Sequence, residues 1–314
     1  MAYKKKLIVL LSIITLLALI YSISLIFSPE RTGARSSLYV WLDSRYSARV
    51  NRIVINSSGD NRQLVKENGQ WFISRNGKKY PARQARIEDF LGIFTQRASW
   101  PLRSSNAAYH SRLGLDAEAA SRITIYSDNS TLLDILLAAD ENAEHDTYLR
   151  RYGQNEVRSG ENLISVYVSG ADSSWYNLRL IPESGDGISL DNVQRVSVYG
   201  ENETQYFFRS NRMWTVSGIE VENPDQGSID TYVRAILNTE GDNFTDSITD
   251  DDPALNHSRI VLEMSNGKVI TIRLTEPDET GRRLANVSGL DYIYSLPSWA
   301  AQRLFKNASD FETK

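Results

Sequence analysis

Arg52-Ile53-Val54-Ile55, followed by a polar stretch and then Trp71-Phe72-Ile73, decides the fold because it occurs twice. Further along stand Arg195-Val196-Ser197-Val198 and Trp214-Thr215-Val216, and in both places the tryptophan lies 19 residues after the arginine (71 − 52 and 214 − 195). Apolar residues alternate along each run, as in Ile53/Ile55 and Val196/Val198, which is the period of a half-buried strand. Each stretch therefore reads as a strand, a polar hairpin and a second strand.

Working outward, the rest of each copy follows in the same order. Ile87, Phe90, Leu91 and Phe94 recur at i, i+3, i+4, i+7 and predict a helix with one apolar stripe. Ile229, Tyr232, Val233 and Ile236 repeat that spacing, with Ser228 in position to act as N-cap. Arg122-Ile123-Thr124-Ile125 leads through Ser127-Asp128-Asn129 to Leu132–Leu137; Arg259-Ile260-Val261-Leu262 leads through Ser265-Asn266-Gly267 to Val269–Leu274. Asn-Gly between alternating apolar runs is a strong hairpin signal. Finally, Val166-Tyr167-Val168 precedes Ser174-Trp175, as Tyr292-Ile293-Tyr294 precedes Ser298-Trp299.

Five correspondences in one order define a tandem, with a first module over 52–182, a linker over 183–190 containing Glu183-Ser184-Gly185-Asp186-Gly187, and a second module over 191–314. Hairpins succeed one another without strand-helix-strand alternation, so the expected class is α+β, with antiparallel sheets and helices packed on one face.

Ahead of the modules, Leu7 to Phe27 carries no charge, and 21 residues at ~1.5 Å each span about 31 Å, a bilayer's hydrocarbon thickness. Lys4, Lys5 and Lys6 precede it, so the positive-inside rule leaves the N-terminus in the cytoplasm and the rest of the chain outside. Residues 1–27 are thus expected to be a cytoplasmic tip and transmembrane anchor. A cleaved signal peptide is the alternative, with Ser22 and Ser24 as a weak small-x-small site, but the apolar run continues past them through Phe27. Residues 28–51 read as a tether, in which Leu38–Leu42 forms an amphipathic start to the fold.

Composition narrows the function. Setting aside Lys4, Lys5 and Lys6 leaves 32 basic residues against 39 acidic ones, a net of −7, which argues against nucleic acid as a partner. With no cysteine there are no disulfides, thiolate nucleophiles or zinc-thiolate sites.

Candidate chemistry is sparse. His110, His145 and His257 each lie in polar sequence without a second histidine at metal-ligand spacing, and read as solvated loop residues. Asp250-Asp251-Asp252, with Asp242 and Asp246 nearby, lacks the alternating ligands and glycine of a calcium loop and reads as a loop ended by Pro253. Ser265-Asn266-Gly267-Lys268 matches a Ser-x-x-Lys string, but on a hairpin turn rather than the helix that chemistry needs. Trp71, Trp214, Trp175 and Trp299, recurring at matching places, are expected in the core rather than on a sugar-stacking platform. No catalytic, cofactor-binding or metal-binding residue is assigned, and no cofactor is expected.

The lysine-flanked N-terminal run, the Arg-Ile-x-Ile strand at Arg52, Gly69-Gln70-Trp71, Tyr80-Pro81-Ala82, the Ile87–Phe94 helix, Leu113-Gly114-Leu115 and Thr147-Tyr148-Leu149-Arg150 together resemble the bacterial domain of unknown function 4340 family. The resemblance extends over nearly the whole of the chain after the anchor. It implies an envelope protein of the bacterial cytoplasmic membrane, with the bulk of the chain periplasmic. It also implies a non-enzymatic accessory subunit of an ABC-type transport or gliding-motility-like complex. The alternative expectation is an envelope module that binds a glycan or peptide ligand. The places where the copies differ, Ala139–Glu161 and Asp242–Asp252, are where function is expected.

Overall fold

The computed structural model describes residues 37–57, 60–138, 146–161, 164–182, 188–201 and 203–313, together with Thr15 and Leu17. Apart from those two residues, the expected anchor at Leu7–Phe27 lies outside the described residues. No helix among the described residues is long and apolar enough to cross a membrane.

The structure is mostly antiparallel sheet with a few helices, and it divides into two units between Asp172 and Ser173. In unit 1, nine strands pair in the order β5-β4-β3-β2-β8-β9-β10-β11-β7. They are β2 (Arg52–Ser57), β3 (Asp60–Glu67), β4 (Gln70–Arg75), β5 (Lys78–Pro81), β7 (Leu102–Ser104), β8 (Ser121–Ser127), β9 (Ser130–Leu137), β10 (Asp146–Arg151) and β11 (Val157–Glu161). A two-stranded ribbon joins β1 (Leu38–Tyr39) to β6 (Ala98–Ser99). Helix α1 spans Gln84–Thr95 and the short α2 spans Ser165–Val168.

In unit 2, eight strands pair in the order β14-β13-β12-β16-β17-β18-β19-β15. They are β12 (Val193–Tyr199), β13 (Thr204–Ser210), β14 (Met213–Ser217), β15 (Asn243–Thr245), β16 (Ser258–Met264), β17 (Val269–Leu274), β18 (Arg283–Val287) and β19 (Ile293–Leu296). Helix α3 covers Gln226–Leu237 and α4 covers Ser298–Leu304. Strand for strand the two orders coincide, β4 with β14 through to β7 with β15, except that β5 has no counterpart.

The alternation read at Ile53/Ile55 and Val196/Val198 is buried, whereas the polar stretches read as hairpin connections are themselves strands, β3 and β13, which bury Leu64 and Phe207. Ile53, Ile55, Leu64, Trp71 and Ile73 are buried in unit 1; Val196, Val198, Phe207 and Trp214 are buried at the matching places in unit 2. Ile87, Phe90, Leu91 and Phe94 of α1, and Ile229, Tyr232, Val233 and Ile236 of α3, are likewise buried. Tight two-residue turns close the β3–β4 and β13–β14 hairpins, at Asn68-Gly69 (φ 50° and 84°) and Asn211-Arg212 (φ 51° and 65°), the backbone that matches strand twist.

Three readings are corrected. Val166-Tyr167-Val168 is helical, in α2, whereas Ile293-Tyr294 is strand β19; the strand that matches β19 is β11. Ser228 is not the N-cap of α3, because Asp225 takes that place, accepting from Gly227 N at 3.0 Å and from Ser228 Oγ at 2.7 Å. Trp299 is not core, being 55% exposed, while Trp175 is fully buried. Leu38–Leu42, read as an amphipathic start to the fold, packs into the body of unit 1. Trp41 and Leu42 are buried, their amides donate to Phe94 O, and Trp41 meets Trp100 edge-on at 5.6 Å.

Residues 173–182, read from sequence as the end of the first module, pack within unit 2. Leu180 N donates to Thr239 O at 3.0 Å, Tyr294 Oη donates to Arg179 O at 3.0 Å, and Tyr176 packs on Phe244.

Candidate functional site

The residues singled out for their chemistry are placed in structural roles. His110 Nε2 lies 3.2 Å from Asn155 O. His257 Nε2 lies 2.9 Å from Glu201 Oε1, which also accepts from Arg283 at 2.9 Å; these two partners, His257 first, hold the Glu201 carboxyl below its usual range. His145 lies outside the described residues.

In the acidic loop, Asp252 Oδ1 accepts from Ala254 N at 2.9 Å and caps the turn Pro253–Leu255. Thr249 Oγ1 donates to Asp251 at 2.5 Å and lowers its pKa. Arg273 donates to the carbonyl of Asp250, and Arg282 pairs with Asp242. Among the described residues, no group of three or more His, Asp or Glu side chains converges as a metal site. Ser265–Lys268 is the turn between β16 and β17, with Gly267 at φ 82°.

Two of the sequence motifs meet. The Arg150 guanidinium, buried in β10, donates to Leu115 O at 3.3 and 3.1 Å and to Gln154 O at 3.2 Å. Leu113-Gly114-Leu115 is thereby pinned over a small apolar cluster of Leu115, Leu136, Ala138 and Val157. Gly114 ends its turn at φ 67°, the left-handed backbone that glycine adopts without strain. Both motifs are therefore scaffold.

A cavity of about 310 Å³ in unit 2 is lined by Ile181, Pro182, Leu190, Leu237 and the arginines 179 and 234. Arg179 is committed there, donating to Leu237 O and, at 2.5 Å, to Asn238 Oδ1 at the C-terminal end of α3. A cation on those orphan carbonyls is helix-capping chemistry.

The outward face of the second sheet gathers aromatic and arginine side chains beside exposed apolar ones. Strand alternation puts Tyr199, Tyr206, Phe208, Arg195 and Thr215 on one face, opposite buried Val196, Val198, Phe207 and Trp214. Tyr206 and Phe208 stack at 6.3 Å with 26° between planes, and Tyr199 meets Tyr206 edge-on at 6.2 Å. Arg195 lies 5.3 and 4.8 Å from the Tyr206 and Phe208 ring centres and pairs with Glu263 at 3.4 Å. Arg259 sits 4.1 Å over Tyr199. Phe208, Met213 and Val269 on this face are exposed.

The outward face of the first sheet is built differently, with Arg52 lying 3.9 Å over Tyr126 and Arg122 3.9 Å over Tyr152. With the copies aligned on their arginines, Tyr199, Tyr206 and Phe208 fall where unit 1 has Asn56, Gln63 and Val65. The difference is visible in the sequence once the two hairpins are set side by side, although tyrosine and phenylalanine there form no reactive motif. No family model, no curated protein and no solved structure matches the chain.

Proposed function

We propose that this chain is a non-enzymatic accessory protein, anchored in the bacterial cytoplasmic membrane by Leu7–Phe27, whose extracytoplasmic units form a tandem. It presents the outward face of the second sheet to a protein partner in an ABC-type membrane complex. The observation that carries this reading is the aromatic-arginine face of Tyr199, Tyr206, Phe208 and Arg195, whose three rings fall where the first sheet has Asn56, Gln63 and Val65. Aromatic and arginine side chains with exposed apolar neighbours are the composition of protein interfaces, because they bury large area at small entropic cost. The lysine-flanked apolar run and the likeness to the domain of unknown function 4340 family supply the membrane and the transporter class.

The test is co-purification of the full chain from detergent-solubilised bacterial membranes. The chain is expected to bring transporter subunits with it, and Phe208→Ser with Val269→Ser is expected to lose them while folding normally. A chain that always emerges alone counts against the reading.

A glycan-binding module is the second reading, favoured by the near-parallel Tyr206 and Phe208 rings, onto which a sugar face could stack. Retention of the full chain on a glycan array, lost in Tyr206→Ser, would select it.

A further inference from the structure

The two sheets differ at one edge. In unit 1 the edge of β4 is covered by β5, whose Tyr80 pairs with Ile73 and is buried, and Ala82 N donates to Trp71 O at 2.9 Å. In unit 2 the sheet ends at β14, and no strand lies beyond it among the described residues. The chain after β14 leaves the sheet instead. Gly218 stands at φ 89°, where an added Cβ would lie 2.1 Å from Thr204 O. Asn223 and Asp225 then pair with Thr313 and Phe311.

Part of this edge is occupied by a side chain. Gln226 Oε1 accepts from Trp214 N at 2.6 Å, and its Nε2 donates to Trp214 O at 3.1 Å. The amide of one glutamine thus does for Trp214 what a neighbouring backbone does for Trp71. By the two-residue period of an antiparallel strand, the N–H and C=O of Val216 point to the same side as those of Trp214. Val216 is half-buried where its counterpart Ile73 is buried.

We infer that β14 is a docking edge for an extended, lysine-bearing segment of the partner protein, which adds a ninth strand to the second sheet as β5 does in the first. This rests on the protein-binding role proposed above. Unpaired edge groups are a template for strand addition. Charge selects the occupant: β5 brings Lys78 and Lys79 to its edge, whereas the segment that follows β14 carries Glu220 and Glu222. An incoming strand displaces the Gln226 amide from Trp214 and pairs with Val216 beyond it.

The probe is a synthetic peptide of this chain's residues 75–83, Arg-Asn-Gly-Lys-Lys-Tyr-Pro-Ala-Arg, added to the full chain in detergent. Binding is expected to slow amide exchange across Met213–Ser217. Val216→Pro removes an outward N–H without touching the ladder to β13, and is expected to weaken binding by about tenfold, one net hydrogen bond. Glu220→Lys with Glu222→Lys, on the exposed segment, is expected to weaken it similarly without altering the fold. An unprotected β14 at millimolar peptide, or protection that neither variant changes, overturns the proposal. So does a chain that sediments as a dimer with β14 already protected, which makes a second copy the occupant.

Photoreactive side chains in native membranes separate this proposal from the role beneath it. Cross-links to a protein from both Ser217, on β14, and Val269, on the sheet face, are the expected result. Cross-links from Val269 alone overturn strand docking and leave the protein-binding role standing. Cross-links from neither overturn both.

Discussion

Arg62 and Gln205 occupy the same place in the two sheets and tie the same elements together. Arg62, buried in β3, donates to Asp172 at 2.6 Å, to Asp60 at 2.8 Å and to the carbonyls of Gly170 and Tyr167. Gln205, buried in β13, donates to Glu203 and to Lys306 O, both at 2.6 Å. Each holds the segment that follows the last helix, α2 or α4, to the second strand of its sheet. The acid two residues earlier, Asp60 or Glu203, completes both arrangements.

Arg62→Ala is expected to destabilise unit 1 by about 3–5 kcal/mol, because it leaves Asp172 and two carbonyls without the donor they were built around. Arg62→Gln is expected to cost less, since glutamine makes the equivalent link in unit 2. Denaturant unfolding of the full chain, followed by tryptophan fluorescence, checks both: the midpoint of one transition falls, further for alanine than for glutamine. Equal losses would refute the correspondence with Gln205.

Trp175 and Trp299 show where sequence reading reached its limit. Trp71 and Trp214 were legible as core because strand alternation fixes which face each residue takes, and a run of constant length from the arginine leads to both. Their neighbours agree: Lys66 lies 5.8 Å from the Trp71 ring centre and Arg209 lies 5.5 Å from that of Trp214. Ser174-Trp175 and Ser298-Trp299 share only a dipeptide, with no periodicity to fix a face. Trp175 is fully buried in the segment before the second sheet, while Trp299 stands exposed on α4 with Arg303 at 4.9 Å from its ring centre. The outward aromatic face was hidden for a related reason, since tyrosine and phenylalanine on alternating positions read equally well as core until the register assigns a side. Trp175→Ala is expected to cost about 3–5 kcal/mol and Trp299→Ala under about 0.5 kcal/mol, in the same unfolding measurement.

Arg212 offers a change in the opposite direction. It holds φ 65° at the second position of the β13–β14 turn, where Gly69 holds φ 84° in the first copy. An L-residue in the left-handed region carries about 1–2 kcal/mol of strain from its Cβ, and glycine carries none. Glycine also loses more backbone freedom on folding, by roughly 0.5–1 kcal/mol, so the two effects oppose each other and the strain is the larger. Arg212 is exposed and packs into no core, so removing its side chain costs little else. Arg212→Gly is therefore expected to stabilise unit 2 by about 0.5–1 kcal/mol, seen as a higher denaturant midpoint at unchanged slope. The reciprocal Gly69→Arg is expected to lower the stability of unit 1 by a similar amount, because the same turn geometry is kept there by the pairing of Lys66 with Trp71 and Glu67 with Gln70. If Arg212→Gly lowers the midpoint, the side chain has a partner in the intact protein that outweighs the strain, and the β14 edge is where that partner should be sought.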